Sequence, residues 1–205
     1  MMSPDPWRPT GVRSLGVVGV LGGLVLLAAF IVPIPPAWNP ARLVLFHAGA
    51  IAVAVAVHPW HGRVAPRLAL AGAVPLVLAN AWSISWILLT LGSERPFAGD
   101  VGLIGFYAGL AAWLADAWFG LCALRIGVLW RPATFVLAAG SLLAITGMDR
   151  LELTAPTNPT IFGPVSLLGI ALNAVAWILL GTQIAKGRPR ADPTAVAIPG
   201  HGVEP

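Results

Sequence analysis

One acidic side chain lies inside a long apolar stretch of this sequence, where a charged group is expensive and therefore informative. Asp116 stands in the stretch 101–124, close to Trp113 and Trp118. A carboxylate at the centre of a membrane-spanning helix costs about 2.5–3.5 kcal/mol to insert, so such a residue needs a function or a partner. Two interpretations are open. Asp116 either couples to protons or cations, or it is a protonated side chain that hydrogen-bonds a neighbouring helix and holds the helices in register.

Two asparagines also fall near the middle of apolar stretches. Asn80 lies in 65–91 and Asn173 lies in 161–185. Side-chain amides bond across membrane helices for about 0.6–2 kcal/mol, and both asparagines are suitable partners for Asp116. We therefore predict a substrate- or ion-binding group made of Asp116, Asn80 and Asn173. The alternative is that the asparagines only join helices.

A second polar group is predicted at the extracellular ends of the helices and in the loops beside them. Its members are His47, Asp100, Asp149 and Glu152. A histidine close to carboxylates can bind a cation or activate water. The alternative is ordinary solvated loop charge with weak ion pairs.

The remaining histidines and the single cysteine do not predict a metal or haem site. His58 and His61 have no acidic neighbour in their loop, and Cys122 cannot form an internal disulfide. His47 and His58 lie about 16 Å apart along one helix, so they cannot be the two axial ligands of one haem. Nucleotide-binding loops and the HExxH, GxSxG and CxxC patterns are missing. We expect no cofactor, no metal and no catalytic residues.

The composition of the chain defines the elements that must hold these side chains. Of the 205 residues, 58% are hydrophobic and 10% are charged, and the mean hydropathy is +0.84. Average globular domains have about 45–50% apolar and about 25% charged residues. These values exclude a soluble enzyme, a disordered chain and a nucleic-acid-binding module. The predicted fold class is an all-α, polytopic membrane helix bundle.

Six apolar stretches approach the roughly 20 residues that a helix needs to cross a bilayer. They are 14–32, 41–57, 65–91, 101–124, 132–147 and 161–185. The predicted organisation is a cytoplasmic tail over 1–13, a single six-helix transmembrane domain over 14–185 and a flexible cytoplasmic tail over 186–205.

Small residues at helical spacing predict which side of the stretch 101–124 meets other helices, because membrane helices approach closely at such residues. This small-residue face consists of Gly105, Gly109, Ala112, Asp116, Gly120 and Ala123.

The basic residues predict the orientation, since lysine and arginine accumulate in cytoplasmic loops. Nine of the 12 fall on the side of both termini: Arg8, Arg13, Arg63, Arg67, Arg125, Arg131, Lys186, Arg188 and Arg190. This predicts a cell-membrane protein with both termini in the cytoplasm. The expected partners are the lipid bilayer, with anionic headgroups at the cytoplasmic face, and either a second copy of the chain or another membrane protein. Nucleic acid is not expected.

These observations lead to a multi-pass membrane protein without an evident catalytic motif, acting as an accessory, regulatory or scaffold component. The alternative is a small transporter or proton-coupled carrier that uses Asp116 with Asn80 and Asn173. Short sequence matches between 65–91 and 161–185 are compatible with the inverted repeats of transporter folds. A membrane enzyme that uses the extracellular polar group is a third possibility.

Overall fold

The computed structural model describes residues 10–28, 38–91, 99–146 and 163–187, and these residues form six α-helices. The helices are α1 Thr10–Ala28, α2 Asn39–Val64, α3 Pro66–Leu89, α4 Gly99–Ile126, α5 Arg131–Thr146 and α6 Pro164–Ala185. Five of them are long and apolar enough to cross a membrane, whereas α5 has 16 residues and is shorter than the usual span. The described part of the chain is therefore all-helical and has the long apolar helices of a multi-pass membrane protein.

Prolines define where most of these helices begin. The first turns of α2, α3, α5 and α6 each contain a proline, whose fixed φ suits a helix start and whose missing N–H is not needed there. These prolines are Pro40, Pro66, Pro132 and Pro164. At the C-terminal end of α4, the chain leaves the helix through Gly127, which has a φ of 77°. Glycine adopts this left-handed conformation without a steric penalty.

Helices α1 and α2 extend furthest beyond the predicted stretches, by four residues at the start of α1 and by seven at the end of α2. The prediction ended the second stretch at residue 57, but α2 continues through Pro59 to Val64. The extension buries His61 against Phe119 of α4, although Pro59 supplies no backbone N–H to the helix. Helix α1 begins at Thr10, so Arg13 belongs to the helix and not to the predicted tail 1–13.

The six helices pack in sequence order into a closed ring. Each helix contacts the next one along the chain, and α1 contacts α6. Across the ring, α2 also contacts α4 and α6. A single residue, Ala65, separates α2 from α3, and residues 127–130 separate α4 from α5, so these two pairs are antiparallel hairpins.

Small residues allow the helix backbones to approach closely around the ring. On α1, Gly16 and Gly23 lie against α6, whereas Gly19 and Gly22 lie mainly against α2. On α4, the small-residue face does meet other helices, with one exception. Nothing lies within 4 Å of the position that a Cβ on Gly109 would occupy.

A proline inside α3 is accommodated by a side chain from α4. Pro75 has no N–H, so the carbonyl of Ala71, four residues earlier, lacks its helical donor. The indole Nε1 of Trp118 donates to this carbonyl at 2.9 Å. Neighbouring side chains commonly satisfy backbone groups that a proline leaves free in a membrane helix.

Candidate functional site

Asp116 is the centre of a buried hydrogen-bond network that joins five of the six helices. Its members come from α2, α3, α4, α5 and α6. They are His47, Asn80, Asp116, Ser141, Asn173 and Trp177. We call this group the Asp116 network. The carboxylate of Asp116 is 1% exposed, and both asparagines are fully buried.

Three N–H donors from other helices point at the Asp116 carboxylate. Asn80 Nδ2 donates to Oδ1 at 3.3 Å, and Asn173 Nδ2 donates to Oδ2 at 3.2 Å. Trp177 Nε1 also donates to Oδ2, at 3.3 Å. The bonds are slightly long for N–H···O contacts, and all three donors are neutral. The N–H dipoles of these neutral donors therefore take the place of the counter-ion that a buried carboxylate would otherwise need.

The hydrogen bonds of Asn80 determine which nitrogen of His47 carries a proton. Asn80 Nδ2 donates to the carbonyl of Leu76 at 2.9 Å, and a backbone carbonyl can only accept. The amide oxygen of Asn80 must then face His47, whose Nδ1 lies 2.6 Å away. Since Oδ1 can only accept, Nδ1 of His47 is the donor. Asn80 therefore connects His47 on α2 to Asp116 on α4.

Asn173 has a buried acceptor that the network does not use. Its Nδ2 donates to Asp116 and also to Ser141 Oγ at 2.7 Å, while Ser141 donates to the carbonyl of Leu137. Its Oδ1 is buried and has no hydrogen-bond partner among the described residues. An unpaired buried acceptor costs about 1–3 kcal/mol, so it calls for an explanation.

Aromatic rings extend from the network towards the end of the bundle where α2 ends. The rings of Trp177 and Phe119 are stacked, with centroids 6.0 Å apart. The ring of His61 lies 6.0 Å beyond Phe119, and its Nε2 is buried without a partner in the described part of the chain. Apolar rings therefore separate Asp116 from His61.

The structure brings together the three residues that we predicted as one group. Asn80 and Asn173 both contact Asp116, one at each carboxylate oxygen. Sequence alone left Trp177 out of the group. It stands four residues after Asn173, which places the two side chains on the same side of α6, and this spacing was the available signal.

Of the second predicted group, only His47 has a described side chain, so the group itself stays a prediction. His47 belongs to the Asp116 network, because it lies eight residues into α2 and therefore about 12 Å from the helix start, at the level of Asn80. Asp149 and Glu152 lie outside the described residues. Asp100 is in the first turn of α4, but its side chain is not among those described.

Comparisons with known protein families, with curated proteins and with solved structures find no match to this chain. The function must be inferred from the chemistry of the Asp116 network.

The donor set of the network suits a proton better than a metal ion. Calcium and magnesium require six or more oxygen ligands in general. The hydrogen bonds to the Asp116 carboxylate come from nitrogen donors, and only Asn173 Oδ1 is an unused side-chain oxygen in the part of the network that the structure describes. A carboxyl group that gains and loses a proton needs only a change of hydrogen-bond partner.

Proposed function

We propose that this protein is a proton-coupled membrane carrier in which Asp116 takes up and releases the proton. One observation carries the proposal: Asn173 Oδ1 has no hydrogen-bond partner within the described ranges, although the other groups of the network that contact the carboxylate are donors.

The Asp116 network contains partners for both protonation states of the carboxyl group. In the ionised state, three N–H groups donate to Asp116. In the neutral state, the new O–H needs an acceptor. A half-turn of the Asn173 amide exchanges Nδ2 for Oδ1 and supplies that acceptor. Ser141 can follow this change, because a hydroxyl both donates and accepts.

His47 is the second titratable group of the proposed pathway. It is 9% exposed, compared with 1% for Asp116, and it lies nearer the end of the bundle where α2 begins. Histidine is the side chain that ordinarily changes charge near neutral pH. Its hydrogen bond to Asn80 couples the charge of His47 to the amide that donates to Asp116. A proton arriving from that end of the bundle would therefore reach His47 first.

A scaffold or accessory role is the second candidate, and one observation favours it. The almost completely buried Asp116 carboxylate joins α4 to α3 and α6, and the two asparagines extend the Asp116 network to α2 and α5. In this alternative, Asp116 keeps one protonation state and holds the helices in register, as some buried polar groups do.

Infrared spectroscopy distinguishes the two candidates. For the reconstituted protein, we expect acidification to produce a carboxylic C=O band that is lost in Asp116→Asn and retained in the control Asp100→Asn. The control removes a carboxylate from the first turn of the same helix. If no band assigned to Asp116 responds to pH, the carrier proposal fails and the scaffold role is favoured. Small molecules that co-purify with the protein, identified by mass spectrometry, are the first substrates to test for flux driven by a pH gradient.

We also propose that all six helices span the cell membrane with both termini in the cytoplasm. Helix α5 is about 24 Å long, and local thinning of the bilayer can accommodate a helix of this length. We expect a reporter that works only in the cytoplasm to be active when fused after Pro205 and inactive when fused after Gly92. The reverse pattern would contradict the orientation.

A further inference from the structure

A groove lies between α3 and α4, separate from the Asp116 network. Its volume is about 560 Å³, which is in the usual range of small-molecule sites. Its lining is apolar except at one end, and it consists of Leu68, Trp118, Leu121, Cys122, Leu124 and Arg125. The groove contains residues from the first turn of α3 and the last turns of α4, so it lies towards the end of the bundle where α3 begins.

One wall of the groove is held in place by a hydrogen bond between the two helices. The indole of Trp118 is 48% exposed, yet its Nε1 donates to the carbonyl of Ala71 on α3. This carbonyl is available because Pro75 supplies no helical N–H. Pro75 and Trp118 together fix the position of the ring, so the wall does not depend on a freely rotating side chain.

The groove has a cationic mouth and an apolar floor. Arg125 lines it in the last turn of α4 and is exposed. Trp118 lies eight residues before the end of α4 and therefore about 12 Å deeper along the helix. No acidic residue is among the lining residues.

We propose that the α3–α4 groove binds an anionic phospholipid, with one acyl chain along Trp118 and Leu121 and the phosphate against Arg125. The apolar floor fits a hydrocarbon chain. The guanidinium group at the mouth is the side chain best suited to a phosphate, because its planar fork donates two parallel hydrogen bonds. A basic residue near a membrane surface attracts anionic headgroups. We therefore expect the groove to retain an anionic lipid in preference to a lipid without net charge.

Native mass spectrometry with defined lipids tests this proposal. The purified full-length protein is mixed with equal amounts of phosphatidylglycerol and phosphatidylcholine. We expect one phosphatidylglycerol to be retained in preference, and Arg125→Gln to reduce its retention roughly fivefold, equivalent to about 1 kcal/mol. The matched control is Arg131→Gln, which removes an exposed arginine from the first turn of α5 without altering the groove. Equal retention of the two lipids, or equal effects of the two substitutions, would overturn the proposal.

Fluorescence quenching locates the acyl chain. Phosphatidylglycerol with brominated acyl chains should quench the tryptophan fluorescence of the wild-type protein more than that of Trp118→Phe. Quenching that is identical in the two proteins would place the lipid elsewhere and overturn the proposed site. Occupation of the groove by a second copy of the chain, detected as a dimer that excludes the lipid, would also overturn it.

Discussion

Replacing Asp116 with alanine is expected to destabilise the protein by roughly 2–5 kcal/mol, since three interhelical hydrogen bonds of about 0.6–1.7 kcal/mol each are lost. Asn80, Asn173 and Trp177 share this one acceptor. In its absence, three buried N–H groups from α3 and α6 have no partner there, and α4 loses its side-chain hydrogen bonds to Asn80, Asn173 and Trp177.

The Asp116→Asn variant should be affected less than Asp116→Ala. Its side chain has the same shape and keeps one acceptor oxygen, but its NH₂ group faces a donor. Unfolding midpoints in detergent measure both variants. The control is Leu114→Ala on the same helix, because Leu114 is 50% exposed on the outer surface of the bundle. An Asp116→Ala variant that lowers the unfolding midpoint no more than Leu114→Ala would contradict this prediction. Water would then hydrogen-bond the three donors, and the interior of the bundle would be hydrated.

Gly169→Ala is expected to destabilise the protein by about 1–3 kcal/mol through overpacking, with a further loss from the Asp116 network. The added methyl group would meet the backbone nitrogen of Ala144 and would lie 2.6 Å from the carbonyl oxygen of Gly140. Backbone atoms of a neighbouring helix cannot rotate away, so α5 and α6 must separate. The same separation would stretch the hydrogen bond between Asn173 and Ser141.

Gly109→Ala is the matched control for this contact. It introduces the same change in α4, where nothing lies within 4 Å of the new methyl group. Alanine favours a helix over glycine by about 0.5–1 kcal/mol, so this variant should be neutral or slightly more stable. Thermal unfolding of the two variants should therefore give changes of opposite sign. A loss of equal size in both would argue against a close α5–α6 backbone contact.

Much of the chemistry of this protein could be predicted from the sequence, because polar residues are rare in apolar helices. Asp116, Asn80 and Asn173 were identifiable for that reason, and the structure places them in contact. The side chains that complete the network were harder to identify. His47 was predicted near the start of its helix, as the structure has it, but the sequence alone did not show that Asn80 of α3 lies beside it.

The arrangement of the helices could not be predicted in the same way. In a soluble protein, an apolar stripe shows which side of a helix is buried. In these helices, the surface that faces outward is also apolar, as the exposed Leu78 and Leu89 on α3 illustrate. Sequence periodicity therefore gives little information on which helices are neighbours. The end of α2 was also not predicted: the apolar stretch ended at residue 57, whereas α2 continues through Pro59 to Val64.

The contact between α1 and α6 has a consequence for the order in which the molecule assembles. Gly16 and Gly181 meet across this contact, although they come from opposite ends of the chain. All other neighbouring pairs in the ring are consecutive in sequence and can pair soon after synthesis, whereas this pair must wait for α6. Until then, α6 does not cover the α1 backbone at Gly16 and Gly23. Before α6 closes the ring, the uncovered surface of α1 can therefore pair with another copy of the chain.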